Sequence, residues 1–229
     1  MINKFKHIAI IPARKNSKSL PFKNRFLFKF TAKFLKNNKL FNKVYVNSDD
    51  PYLKVLAKKY DFNFFKRQKK LAKDTTCIKE VLIDMNKKLK FSRNTFIWLF
   101  YIPIVYKNNN DFKKTIKLVE KNRLKSICTF KKAETHPMSC WYIKKKKPYQ
   151  FIENDLCRRQ DFAEAYSHHH YICGFNIKYL KKLNNELIFK DTFPVLLHNN
   201  ISRKLIEVDT PEDLKNIRNL RKNEKTKNN

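Results

Sequence analysis

Short apolar runs alternate along the chain with longer segments whose apolar residues recur every three or four positions. Runs of the first kind are typical of buried strands, and segments of the second kind are typical of amphipathic helices. The strand candidates are residues 7–11, 43–50, 62–65, 96–102 and 126–130. Because parallel strands need long crossovers that are usually helical, this alternation predicts an α/β fold with a mostly parallel sheet.

Capping residues, some followed by proline, indicate where helices begin. Predicted helices start at Asp50–Pro51, at Thr75 or Thr76, at about Asp111 and at Thr210–Pro211. Residues 131–175 show no clear period and are interpreted as an excursion from the sheet, after which strand-like runs return at 193–199 and 204–210. We therefore predict one domain over residues 1–220 and a polar, disordered tail over 221–229.

The charge of the chain is strongly basic, with 52 Lys and Arg against 20 Asp and Glu and a formal net charge of +32. Such a charge favours a polyanionic partner such as nucleic acid or an anionic membrane surface. However, the lysines are scattered over the whole chain, and the abundance of Lys, Asn and Phe beside a single glycine is typical of AT-rich coding. We therefore expect no nucleic-acid partner, whereas the charge suits a small polyanion such as a nucleoside triphosphate.

The five cysteines form no CxxC pair, which indicates reduced thiols rather than a disulfide scaffold or a zinc ribbon. The longest apolar run, residues 95–105, is too short to span a bilayer. The N-terminal apolar stretch ends at Arg14, so a signal peptide is not expected. These features predict a cytoplasmic protein that does not insert into membranes.

Candidate chemistry begins in residues 8–24, IAIIPARKNSKSLPFKN. A polar turn follows the first predicted strand and carries Arg14, Lys18 and Lys23. Ligands of doubly wound sheets bind at the carboxyl ends of the strands, where backbone N–H groups and cations can hold phosphate. Neither a Walker A loop nor a GxGxxG turn is present. From charge alone, a basic surface loop is the favoured interpretation.

The string PARKNSKSLPFKN resembles the signature of the CMP-sugar synthetases, which comprise the acylneuraminate cytidylyltransferases and their Kdo, legionaminate and pseudaminate relatives. Asn16 stands where glycine is usual. Four further blocks follow in the order of that family: VNSDD (46–50), RQKKLAKDTT (67–76), RRQDFAEAY (158–166) with Gly174 after it, and IEVDTPEDL (206–214). The resemblance spans residues 7–214. It implies a Rossmann-like, three-layer nucleotidyltransferase fold with a protruding dimerisation arm, and hence a homodimer.

The resemblance also implies an activity: CTP is coupled to a 2-keto sugar acid of the sialic, legionaminic or pseudaminic type, which gives a CMP-sugar and pyrophosphate. The anomeric hydroxyl attacks the α-phosphorus, so positioning and electrostatic stabilisation should dominate catalysis. The partners implied are CTP, the sugar acid and a second copy of the chain, and the implied cofactor is Mg²⁺.

Site residues carry over position by position from the resemblance. The implied catalytic residues are Arg14, Lys18 and Asp209. The implied nucleotide-binding residues are Arg14, Ser17, Lys18, Lys23, Asn24 and Arg67, and the implied sugar-binding residues are Arg158 and Gln160. Asp74 either orients the loop after Arg67 or caps a helix. Asp209 and Glu207 are the implied metal ligands, and two residues at i and i+2 of a strand face one side. The alternative is that these acids stabilise a helix start.

Two departures from the family pattern keep other interpretations open. The stretch WLFYIP (98–103) lacks the Gln that usually reaches the substrate, and Glu207 replaces an aspartate. The alternatives are a nucleotidyltransferase of the same fold with another nucleotide or sugar, such as a CMP-Kdo synthetase, and a catalytically decayed, non-enzymatic descendant. A basic nucleic-acid binder would show steep salt dependence. The histidines at 168–170 are not expected to bind a transition metal, because adjacent residues seldom converge on one ion.

Overall fold

A computed structural model describes residues 4–16, 20–155, 158–202 and 205–216. At its centre lies a seven-stranded sheet with the strand order β3-β2-β1-β4-β8-β5-β9. All neighbouring strands are parallel except β8, which runs antiparallel to both β4 and β5. The prediction of an α/β fold with a mostly parallel sheet is confirmed. The strands are β1 (Lys6–Pro12), β2 (Lys43–Ser48), β3 (Asn63–Lys66), β4 (Thr95–Leu99), β5 (Ser126–Lys132), β6 (Trp141–Lys144), β7 (Lys147–Gln150), β8 (Tyr166–Asn176) and β9 (Thr192–Leu196).

Helices connect the strands and cover the sheet. They are α1 (Lys23–Asn37), α2 (Pro51–Lys59), α3 (Ile78–Leu89), α4 (Asn109–Asn122) and α5 (Asn199–Ser202), and residues 211–216 are also helical. The predicted cap of α2 is confirmed, because the Asp50 side chain accepts a hydrogen bond from the N–H of Tyr52. Helix α3 begins two residues later than the nearer of the two predicted threonines. The predicted tail at 221–229 lies outside the described residues.

Both faces of the sheet are buried, which makes the fold three-layered. Along β1 the side chains alternate: Ile8 and Ile10 pack into one core, and Ala9 and Ile11 pack into the other. The first core also contains residues of α3, and the second contains residues of α1, α2 and α4. A strand buried on both faces reads as a continuous apolar run, which is why the strands of this region were recognisable from sequence.

The excursion from the sheet is shorter than the predicted 131–175. Strand β5 continues to Lys132, and the chain returns to the sheet at Tyr166. Between them, β6 and β7 form a separate two-stranded hairpin. The prediction was wrong for the segment that forms β8, because its histidines and single glycine hid a strand. The run at 193–199 does contain β9. In the described part of the second run, residues 205–210, there is one isolated bridge, between Ile104 and Glu207, and no strand.

The order of the strands defines where a ligand would bind. Strand β1 pairs with β2 on one side and with β4 on the other. Strands β2 and β3 thus extend the sheet to one side of β1, and the later strands extend it to the other side. In open α/β sheets, such a switch point leaves a crevice at the carboxyl ends of the strands. In the part of the chain that the structure describes, no helix has both the length and the apolar character needed to cross a bilayer.

Candidate active site

The loop after β1 is held between β2 and α1. The N–H of Ala13 donates to the carbonyl of Asn47 at 2.9 Å, and the side-chain amide of Asn24 donates to the carbonyl of Arg14 at 2.9 Å. The N–H of Lys15 donates to the carboxylate of Asp49 at 2.8 Å. These bonds fix the path of the loop up to residue 16. Of the predicted site residues, Ser17 and Lys18 lie outside the described residues.

The Arg14 guanidinium forms an ion pair with Asp74, and both side chains are partly exposed. Asp74 lies in the loop that follows β3, so this pair joins two segments that are distant in sequence. Of the two roles predicted for Asp74, the structure favours the orienting one. Its partner, however, is the arginine of the first loop.

Lys23, the first residue of α1, forms an ion pair with Asp209. The Lys23 side chain is 11% exposed and that of Asp209 is 50% exposed, so the carboxylate remains open to solvent while the ammonium group is largely covered. The backbone N–H groups of Asp209 and Thr210 donate to the carboxylate of Asp213 at 3.1 and 2.7 Å, and the N–H of Asp213 donates to the Thr210 hydroxyl. This reciprocal pattern is a capping box, and it fixes Asp209 immediately before the helix at 211–216.

Glu207 and Asp209 flank the fully buried Val208. This alternation places the two carboxylates on the outer side of the segment. The N–H of Val208 donates to the carbonyl of Pro103 at 3.1 Å, which ties the segment to the loop that follows β4. Although Glu207 is exposed on one side, the protein around it raises the pKa of its carboxyl by desolvation, and repulsion by Asp209 raises this pKa further.

Arg67 is 7% exposed and lies against the end of β2. Its Nε donates to the side-chain oxygen of Asn47 at 2.6 Å, and its backbone N–H donates to the carbonyl of Ser48 at 2.9 Å. Burial lowers the pKa of Arg67 to about 10, Asp49 opposes this change and Arg14 adds to it. Arg67 is therefore a charged and immobile group at neutral pH, next to the first loop.

Two further groups at this edge were not singled out from sequence as site residues. Arg25 makes two hydrogen bonds, of 2.7 and 3.0 Å, to the carboxylate of the buried Asp50. Lys107 donates to the carbonyls of Ile104 and Tyr101, and burial lowers the pKa of its ammonium group to about 7. The sequence does carry a signal for Lys107, because this lysine directly follows the apolar segment 102–106.

Arg158 and Gln160 follow the β6–β7 hairpin along the chain, at the short turn Arg159–Asp161. Both are exposed, and Arg158 donates to both carboxylate oxygens of Asp161, at 2.9 and 3.2 Å. Among the described residues, no hydrogen bond or ion pair joins Arg158 or Gln160 to Arg14, Lys23 or Asp209. Within the part of the chain that the structure describes, contacts thus connect several of the predicted nucleotide and metal residues, whereas none connects the predicted sugar-binding residues to them.

The arrangement places three cations, Arg14, Lys23 and Arg67, at the edge of the sheet where the switch point at β1 predicts a crevice, and two outward-facing carboxylates lie beside Lys23. Such a set can bind a polyanion through the cations and a hard divalent cation through the carboxylates. Because the cations come from the β1 loop, α1 and the segment after β3, the fold and not the local sequence brings them together.

Comparison with known proteins agrees with this geometry. A model of the family described as "Cytidylyltransferase" matches residues 8–90, which contain the first loop, the end of β2 and Arg67. A curated relative from Helicobacter pylori, "Pseudaminic acid cytidylyltransferase and UDP-2,4-diacetamido-2,4,6-trideoxy-beta-L-altropyranose hydrolase", is 24% identical over 222 residues. The match covers 93% of this chain and 41% of the relative, so the chain spans less than half of that protein's length.

Solved structures share the fold over nearly the whole chain. A CMP:2-keto-3-deoxy-manno-octonic acid synthetase complexed with CTP superposes with a TM-score of 0.66 at 14% identity, covering 96% of this chain and 99% of that one. The 4-diphosphocytidyl-2C-methyl-D-erythritol synthase of Anaerococcus prevotii gives 0.62 at 16% identity, covering 95% and 96%. The chain thus resembles cytidylyltransferases in sequence over residues 8–90, and it shares the fold of these structures over nearly its whole length.

Proposed function

We propose that the protein transfers CMP from CTP to a 2-keto sugar acid and releases pyrophosphate. The observation that carries this proposal is the convergence of Arg14, Lys23 and Arg67 with Asp209 at the carboxyl edge of the sheet. The name of the H. pylori relative points to pseudaminic acid, and one structural neighbour was solved with CTP, which supports this choice of substrates.

Arg14 and Lys23 would bind the triphosphate. Each is already paired with a carboxylate, Asp74 and Asp209 respectively, and these pairs hold the two long side chains near one position before a ligand arrives. A bound triphosphate, with its larger charge, competes for the same cations. The sequence resemblance assigns triphosphate binding to Lys18 and Ser17 as well. Charge that builds on the phosphate oxygens during attack at the α-phosphorus would be stabilised by these groups.

Arg67 and Asn24 would act on the nucleoside side. Arg67 is locked by Asn47, so it offers a fixed donor and loses little freedom on binding. The amide of Asn24 is committed to the carbonyl of Arg14, so Asn24 shapes the loop on which the triphosphate would lie. Pre-organisation of this kind raises affinity without additional contacts.

Asp209 and Glu207 would hold Mg²⁺. The fit rests on two observations: both carboxylates lie on one side of their segment, and their mutual repulsion together with desolvation raises the pKa of Glu207. A divalent cation beside both carboxylates would relieve that repulsion, and Mg²⁺ prefers oxygen ligands. When bound, Mg²⁺ supplies positive charge at phosphate oxygens. With these carboxylates held by the cation, Lys23 would be free to contact phosphate instead of Asp209.

The sugar subsite would be completed by a second copy of the chain. The hairpin exposes a row of apolar side chains, and Arg158 and Gln160 project beyond it without reaching the crevice of their own chain. A homodimer that packs this hairpin against a partner would cover the apolar row and carry both residues toward a crevice. The exposed members of the row are Trp141, Tyr142, Ile143, Tyr149 and Phe151.

The free thiols of Cys77, Cys128, Cys140 and Cys173 suit the cytoplasm as the place of action.

A second candidate is a CMP-Kdo synthetase, and it is favoured by the likeness to the octonic acid synthetase. For either candidate function, this chain lacks the Gln that is usual near the end of β4. Leu99 lies there instead, is 1% exposed and packs into the core. The choice between them therefore rests on which acid is accepted.

The test is pyrophosphate release from CTP and Mg²⁺ with a panel of pseudaminic, legionaminic, sialic and Kdo acids. We expect release with one acid, reduced about 10²-fold in Asp209→Asn and in Lys23→Gln, because each removes a group that stabilises developing charge. Lys29→Gln is the matched control, since it removes the same charge from the exposed face of the same helix. Release that is unchanged in Asp209→Asn would overturn the assignment of the site. Silence across the panel in folded protein would favour a decayed descendant.

A further inference from the structure

A second group of metal-binding side chains lies outside the crevice described above. His168 and His170 on β8 meet Glu186, and one ligand atom from each of the three lies within 4.8 Å of the others. The Nε2 atom of His168 is 3.1 Å from a carboxylate oxygen of Glu186, and the Nε2 atom of His170 is 3.9 Å from the same oxygen. None of these residues has a role in the proposed transfer of CMP.

The period of a strand explains how residues from a histidine run converge. Positions i and i+2 face the same side, so His168 and His170 point together, and their rings lie 5.0 Å apart. His169 is committed elsewhere, because its Nδ1 accepts a hydrogen bond from the N–H of Tyr171 at 3.1 Å. The expectation of no metal site treated the three histidines as adjacent ligands, whereas the structure pairs the first with the third.

The third group, Glu186, is held by a tight turn. The side chain of Asn184 accepts hydrogen bonds from the N–H groups of Glu186, at 3.0 Å, and of Ile188, at 2.9 Å. Leu187 has a φ of 61°, a left-handed conformation that bulky residues seldom adopt. The surrounding bonds therefore fix the backbone at Glu186, and its carboxylate needs only side-chain rotation to approach the imidazoles.

The Nε2 atom of His170 is placed to act as a ligand. It is buried and has no hydrogen-bond partner within the described part of the chain. The ring packs on Tyr101, with centroids 4.7 Å apart, directly after β4. The cluster thus borders the carboxyl edge of the sheet.

We propose that His168, His170 and Glu186 bind a divalent transition-metal ion, with Zn²⁺ as the best fit. Two imidazoles and one carboxylate are a typical three-residue zinc set, which leaves a fourth position for water or an exogenous ligand. Ligand atoms around tetrahedral zinc lie about 3.3 Å apart, so modest side-chain rotation closes the cluster. Magnesium prefers oxygen ligands, so this site is chemically distinct from the one formed by Asp209 and Glu207.

The test uses the full chain without an affinity tag and with its thiols reduced. Zn²⁺ affinity is measured by competition with a chromophoric chelator. We expect one equivalent to bind, and binding to weaken at least tenfold in His168→Ala and in Glu186→Gln, since even supporting residues of zinc sites change affinity by about 10–100-fold. His198→Ala is the control, because this exposed histidine lies outside the cluster. Circular dichroism confirms that each variant is folded.

Co²⁺ in place of Zn²⁺ identifies the ligands by their spectrum. Nitrogen and oxygen ligands give weak visible bands, whereas thiolate ligands add an intense near-ultraviolet charge-transfer band. We expect visible bands alone, and their loss in Glu186→Gln. A thiolate band would assign the bound metal to cysteines and overturn the proposal. Stoichiometric binding that is unchanged in both cluster variants, or no binding by the wild-type chain, would overturn it equally.

Discussion

Gly174→Ala should be among the most destabilising single substitutions in this protein, although it adds one methyl group. Gly174 is the only glycine in the chain and lies on β8, opposite Trp98 of β4 and Ile127 of β5. A Cβ at this position would lie 2.8 Å from the carbonyl oxygen of Ile97, 2.8 Å from the ring of Phe96 and 3.1 Å from the ring of Trp98. No positive φ is recorded at Gly174, so lack of space and not backbone conformation requires glycine here.

The size of the stability loss depends on which neighbouring groups can move to make room for the added methyl group. The Ile97 carbonyl belongs to the strand that pairs with β8, and Phe96 and Trp98 are fully buried, so relief of the clash must displace one strand or repack two aromatic rings. Overpacking of this kind costs typically 1–3 kcal/mol and occasionally more. Alanine also reduces the freedom of the unfolded chain, which offsets about 0.4–1 kcal/mol. We expect a net loss of about 2 kcal/mol, or a fall in Tm of about 4–8 °C for a chain of this size.

The assay is urea unfolding followed by circular dichroism and by tryptophan fluorescence. Ser167→Ala, near the start of the same strand, is the control and should change the free energy of unfolding by less than about 0.5 kcal/mol. A Gly174→Ala variant as stable as the wild type would refute the reasoning, because it would mean that β4 and β8 are not packed as closely as described.

Two further predictions concern buried charges. Because the pKa of Lys107 falls to about 7 in the folded chain from 10.5, the unfolded chain binds more protons between these values. Stability should therefore rise with pH across this window, by at most about 1.4 kcal/mol per unit, and Lys107→Met should flatten the rise in pH-dependent urea unfolding. Asp50→Ala removes both the cap of α2 and the partner of Arg25, so it should cost about 2 kcal/mol in the same assay. Glu134→Ala, which removes an exposed ion pair, should cost under about 0.5 kcal/mol, and equal losses in the two variants would contradict this account.

Much of the sheet was predictable because strands buried on both faces have an unmistakable apolar run. Helix α1 was missed for a physical reason: its N-cap is Phe22, with a φ of 56° and no side-chain cap, so no capping residue marks its start. Strand β8 was missed because half of it is only partly buried and polar.

The site was predictable to the extent that its residues lie in recognisable blocks. Sequence predicted Arg14, Lys23, Arg67 and Asp209 as site residues, but it could not reveal that Arg14 pairs with Asp74 or that Lys23 pairs with Asp209. Those partners lie 60 and 186 residues away, and only the fold brings them together. The convergence of His168 with Glu186 has the same origin.

The central claim is attack at the α-phosphorus of CTP, and ³¹P nuclear magnetic resonance tests it most directly. CTP, Mg²⁺ and pseudaminic acid are incubated with the wild-type chain, with Asp209→Asn run in parallel. The account predicts that the three CTP resonances give way to one phosphodiester resonance and to pyrophosphate in equal amounts, and that the variant slows this change about 10²-fold. The appearance of CDP with orthophosphate instead would place the attack at the γ-phosphorus and contradict the proposed transfer.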